Sequence, residues 1–60
     1  MNLKELRTNA KMTQQELADK IGVQRSTIAM IETDKNSITI SMAKKLAEVF
    51  NIRWTNFFNE

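Results

Sequence analysis

The chain has 60 residues, 42% of them apolar and 27% charged, and contains no cysteine, histidine or proline. That length suits a single domain near the lower limit for folding on packing alone. The missing thiols and imidazoles exclude a disulfide framework, an ordinary zinc site and cysteine or histidine catalysis. Nine Lys and Arg against seven Asp and Glu leave a net charge of only +2, so the overall balance does not call for a polyanionic partner, although residues 20–31 carry Lys20 and Arg25 and no acid.

Leu3, Leu6 and Ala10 recur at helical spacing among polar residues, which predicts an amphipathic helix over residues 2–10 that stops between Asn9 and Met12. Thr13 followed by Glu16 has the form of a capping box, so a second helix should begin at Gln14 and run through the apolar stripe Leu17, Ala18 and Ile21. Gly22 is the only glycine in the chain. Placed just past that stripe, it is fitted to the left-handed conformation that ends a helix. Val23 fills the turn, and the stripe resumes through Ile28 and Ile31 in a third helix over residues 25–32.

Residues 33–38 (TDKNSI) read as a polar loop. Thr39 is placed to cap a fourth helix carrying Met42, Ala43, Leu46, Ala47 and Phe50, with Asn51 at its end. Ile52, Trp54, Phe57 and Phe58 predict a short terminal helix. There is no strand-like alternation, internal repeat, linker or apolar run of membrane-spanning length, and the N-terminus lacks a signal-peptide core. The expectation is an all-α, single-domain, soluble cytoplasmic protein of four to five helices over residues 1–60.

Two short helices joined by about four residues with a glycine in the turn make a helix-turn-helix, whose second helix can enter the DNA major groove. Here that unit spans residues 14–32. Ala18 is small where the helices cross, Gly22 supplies the turn, and Ile28 and Ile31 face back onto Leu17 and Ile21. The opposite face of residues 24–30 is left polar.

The run "LRTNAKMTQQELADKIGVQRSTIAMIE", Leu6 to Glu32, resembles the Xre or Cro/repressor-type helix-turn-helix family of bacterial and phage transcription regulators, and weaker similarity continues through "MAKKLAEVFNI" to Phe58. The resemblance implies a lambda-repressor-like domain whose third helix reads double-stranded DNA. On matching positions, Gln14 would bond a phosphate at the start of the second helix, and Gln24, Arg25, Ser26, Thr27, Ala29 and Met30 would face bases or backbone. Arg25 is the candidate for a bidentate bond to guanine, and Met30 for contact with a thymine methyl group. The family pattern also implies an ion pair between Arg7 and Glu32. Lys35 and Asn36 follow as candidate phosphate contacts.

The sequence departs from the family pattern in three places. Gln24 stands where a capping serine is common, Thr33-Asp34-Lys35 replaces Asn-Gly-Lys, and Ile38 replaces proline. Three of the four aromatic residues, Trp54, Phe57 and Phe58, crowd the last seven positions. They form either a homodimer interface or a terminal segment that closes the core.

The function implied is a sequence-specific DNA-binding regulator, a repressor or controller, dimeric on an inverted repeat. The competing readings are a protein-interaction module of the same fold and an antitoxin-like regulator that binds a partner. An enzyme is not expected: there is no histidine, no two of the seven acids fall in an apolar-cleft pattern, and Glu16 is occupied in capping and Glu32 in the ion pair. No cofactor, metal or small-molecule ligand is expected.

Overall fold

Residues 2–58, which a computed structural model describes, form four α-helices and two short 3-10 helices, with no strand among them. The order is α1 (Leu3–Asn9), α2 (Gln14–Ile21), α3 (Arg25–Thr33), a 3-10 turn (Lys35–Ser37), α4 (Ile40–Phe50) and a terminal 3-10 helix (Trp54–Phe57). This is the architecture of a lambda-repressor-like helix-turn-helix domain.

Side chains set where the helices start. The Asn2 carboxamide accepts the Glu5 amide at 2.8 Å, and Thr39 accepts the Met42 amide at 3.1 Å. At α2 the predicted capping box is complete: the Glu16 amide donates to Thr13 Oγ1 at 3.0 Å, and the Thr13 amide donates back to Glu16 Oε1 at 2.8 Å. Each satisfies an amide that the first helical turn would otherwise leave unpaired. At α3 the Gln24 side chain makes no capping bond, which matches its replacing serine.

Left-handed residues end three of the helices. Gly22 has φ +76°, and both its amide and that of Val23 donate to the Ala18 carbonyl. Asn51, at φ +56°, ends α4 in the same way on the Ala47 carbonyl. Lys11, at φ +59°, follows α1. Ala10, expected on the apolar stripe of the first helix, instead lies just past its end and is exposed. One turn of spacing beyond Leu6 places it on the right face only if the helix continues, and the chain turns away there.

The core is a cluster of Leu3, Leu17, Ala18, Ile28, Ile31 and Leu46, against which Met12, Ile21, Val23, Ile38, Met42, Val49, Phe50 and Phe57 pack. Leu17, Ile28 and Leu46 are fully buried. The helix pair α2 and α3 packs most extensively, with α1 against α3 and α4 against α2. Ala18 is wholly inaccessible, as its small size at the crossing requires.

Candidate nucleic-acid interface

Burial splits α3 into two faces. Ile28 and Ile31 point into the core, whereas Gln24, Arg25, Ser26 and Met30 are exposed and Thr27 and Ala29 are half-buried. Met30 is 60% exposed, the most exposed of three large apolar side chains that reach the surface among the described residues, with Ile40 and Phe58. The Ser26 hydroxyl reaches Gln24 Oε1 only at 3.5 Å, so the polar groups at this helix start remain largely available.

A chain of hydrogen bonds links this surface to the interior. Arg7 lies on α1 and Glu32 on the last turn of α3. Arg7 Nε donates to Glu32 Oε2 at 2.6 Å and its Nη2 to Glu32 Oε1 at 3.3 Å, with the two side chains 12% and 6% exposed. The predicted ion pair is therefore present and shielded. Arg7 Nη1 also donates to the Met12 carbonyl at 2.8 Å, while the Met12 amide donates to the Arg7 carbonyl at 3.1 Å. Arg7 thus holds both main-chain groups of Met12, in the connection that leads into α2.

Burial alone would raise the pKa of Glu32. Hydrogen bonds from Arg7 and Gln14, together with the Arg7 charge and the more distant Lys4, outweigh it and hold the carboxyl below its ordinary range.

Gln14, the first residue of α2, continues the chain outward. Its Nε2 donates to Glu32 Oε1 at 3.1 Å, and its Oε1 accepts from Arg25 Nη1 at 3.3 Å. The neighbouring Gln15, with the same chemistry, turns along its own helix to Asp19 at 2.8 Å. Gln14 and Arg25, named separately from the sequence, are brought together at the adjoining starts of α2 and α3. The bonds of Gln14 to Glu32 and Arg25 were not foreseen, because residues 11 and 18 positions apart meet only through the crossing of two helices.

The loop after α3 is organised by Asp34. Its carboxylate accepts the Asn36 amide at 3.0 Å, and its carbonyl accepts from the Ser37 hydroxyl at 2.7 Å. An aspartate turn thereby does the work of the missing glycine and proline. The Asn36 side chain is exposed, but its main-chain amide is occupied; the Lys35 side chain lies outside the described residues.

At the C-terminal end the three aromatic residues divide. Phe57 packs on the core, and Trp54 is half-buried, with Lys44 Nζ 5.5 Å from its ring centroid. Phe58 meets Trp54 edge to face at 6.0 Å and remains 45% exposed.

The profile of the helix-turn-helix family matches residues 3–57, from the first residue of α1 to the last of the terminal 3-10 helix. The chain belongs to the helix-turn-helix family. Two of its relatives are uncharacterised HTH-type transcriptional regulators of the archaeon Archaeoglobus fulgidus, 43% and 41% identical over 56 residues, which is 93% of this chain and 80% and 79% of theirs. A third, from Methanocaldococcus jannaschii and described in the same words, is 38% identical over 93% of this chain and 85% of its own. These relatives are archaeal, whereas the sequence resemblance pointed to bacterial and phage regulators. No solved structure matches the chain significantly. Membership in a family of helix-turn-helix regulators agrees with the reading of the chain as a non-enzyme. No helix among the described residues is long and apolar enough to cross a membrane.

Proposed function

We propose that this chain is a sequence-specific regulator of transcription that reads double-stranded DNA with α3 in the major groove, residues 1–60 acting as one DNA-binding domain. The observation that carries the reading is the exposed, acid-free face of α3, with Arg25 and Gln14 side by side at two helix starts. Arg25 presents a planar fork of donors matched to the O6 and N7 acceptors of guanine, and Met30 offers an apolar tip to a thymine methyl group. Gln24, Ser26 and Thr27 serve neighbouring bases or phosphates. The second amide hydrogen of Gln14, with Lys35 and Asn36 in the following loop, fixes the register on the backbone.

In this reading the protein acts as a repressor or controller and binds as a homodimer, with two copies of α3 about 34 Å apart on an inverted repeat. The exposed Phe58 ring and its partner Trp54 support the dimer, since exposed aromatic surface is better used in an interface than in water.

Selection from a randomised duplex pool at two salt concentrations tests the reading. An enriched inverted repeat whose binding weakens as salt rises is the expected result, because neutralised phosphates release counterions. Retention of no DNA at either salt would overturn it in favour of a protein-interaction module. Arg25→Ala should reduce discrimination at one base pair of each half-site by about 5- to 150-fold, the value of one good bidentate pair.

A further inference from the structure

The hydrogen-bond chain Arg7, Glu32, Gln14, Arg25 runs from a shielded ion pair to the exposed arginine, and its direction is dictated by which groups donate. The Glu32 carboxylate, ionised, only accepts, and the Arg25 guanidinium only donates. Between them the Gln14 amide has one end of each kind. With its nitrogen toward Glu32 and its oxygen toward Arg25, both contacts are attractive. Turned over, it would set oxygen against carboxylate and an amino group against guanidinium. The amide is therefore keyed at both ends, although only one end lies in a shielded place.

We propose that Glu32 is a positioning residue for DNA reading: through the Gln14 amide it holds the guanidinium of Arg25 in place before DNA arrives. This rests on the assignment of Arg25 as a reader. Arg25 is the first residue of a helix with no side-chain cap, it is exposed, and Gln14 Oε1 is the hydrogen-bond partner its guanidinium has among the described residues. A long side chain so placed samples many rotamers, and binding must freeze them. One bond to Gln14 limits the search while occupying a single hydrogen of the five on the guanidinium, so the edge that meets guanine stays open. Glu32 thus has two tasks carried by different oxygens: Oε2 takes the shorter bond from Arg7, and Oε1 is shared between Arg7 and Gln14. The same carboxylate that closes the core also sets the polarity of the surface.

The test uses the duplex recovered by selection, its single-base variants and four proteins: wild type, Arg25→Ala, Gln14→Met and Glu32→Gln. Gln14→Met leaves the Arg7–Glu32 pair intact, so it remains informative if Glu32→Gln fails to fold. Glu32→Gln can accept the Arg7 Nε–H through its oxygen but gives up the weaker Arg7 Nη2 bond and turns an amino group toward Gln14, which reverses the Gln14 amide and sets it against Arg25.

Both variants should lower discrimination at the base pair that Arg25 reads by about two- to tenfold, the cost of freezing one long side chain. The combined variant should lose no more than either alone, and Gln14→Met added to Arg25→Ala should change discrimination no further. In the protein without DNA, 15N relaxation should show the Arg25 Nε–H group losing order in both variants. Equal weakening on every duplex with unchanged discrimination would make Gln14 a phosphate contact alone and overturn the proposal. So would an unchanged Arg25 side chain in free Gln14→Met, even where Arg25 does read. A base preference that survives Arg25→Ala would remove the reading role itself, and the positioning role with it.

Discussion

Removing the arginine of the shielded pair gives the sharpest prediction for stability. In Arg7→Met a side chain of similar length keeps its packing, but Glu32 loses two charge-assisted bonds and the Met12 carbonyl loses its donor. Leaving a buried charge unpaired costs about 3–5 kcal/mol. The exposures of 12% and 6%, and the remaining bond from Gln14, place this site at the lower end, about 3 kcal/mol. A chain of 60 residues has a total stability of only about 3–9 kcal/mol. With an unfolding entropy of about 0.13 kcal/mol/K for this length, the variant should melt about 20–25 °C below wild type. Far-UV circular dichroism and Trp54 fluorescence should report the same transition.

The dependence on pH follows from the direction of the Glu32 shift. In wild type the folded pKa lies below the unfolded one, so its stabilisation is complete above about pH 4.3 and is lost as pH falls through the folded value. Without Arg7, burial is opposed only by Gln14 and the distant Lys4 charge, so the folded pKa moves up and protonation relieves the penalty. The gap between wild type and variant should therefore narrow as pH falls from 7 toward about 4. Arg7→Met with Glu32→Met should recover to within about 1–2 kcal/mol of wild type, since no charge is left stranded. A melting shift under about 5 °C, or a double variant less stable than Arg7→Met, would refute the reasoning.

Three further outcomes follow from the helix ends. Gly22→Ala should cost about 1–2 kcal/mol from backbone strain alone, because a Cβ there meets no atom within 4 Å; thermal unfolding measures it. Lys11→Gly should raise stability by up to about 1 kcal/mol in the same assay, since relief of the left-handed strain exceeds the entropy added to the unfolded chain. Gln24→Ser should supply the missing cap of α3 and stabilise the fold by about 0.5–1 kcal/mol in urea titration.

The main chain of this protein was largely legible because short-range chemistry decides it. Thr13 with Glu16, Gly22, Thr39 and Asn51 act within a turn of their own positions, and each appears in the structure where its chemistry puts it. The apolar stripe is nearly as local, and it erred at Ala10, where a turn at Lys11 overrode the period. Lys11 gave no signal, since lysine has no preference for a left-handed backbone. Asp34 was legible as a departure from the family turn but not as the group that rebuilds it.

The candidate interface was legible as a set of residues rather than as a mechanism. Its members on α3, like the pairing of Arg7 with Glu32, come from the family resemblance, and the helical period accounts only for their lying opposite Ile28 and Ile31. What no spacing could show is that Gln14 bridges them, because that depends on how closely two helix starts approach and on which end of an amide faces inward. The crossing is close because Ala18 is small and Gly22 turns the chain at once. Enlarging Ala18 should therefore do more than overpack the core: by pushing α2 from α3 it would lengthen the Gln14 contacts to Glu32 and Arg25 together. A folded Ala18→Ser should bind with reduced base discrimination, while an Ala18→Val that melts lower yet reads bases as wild type does would separate the crossing from the surface it supports.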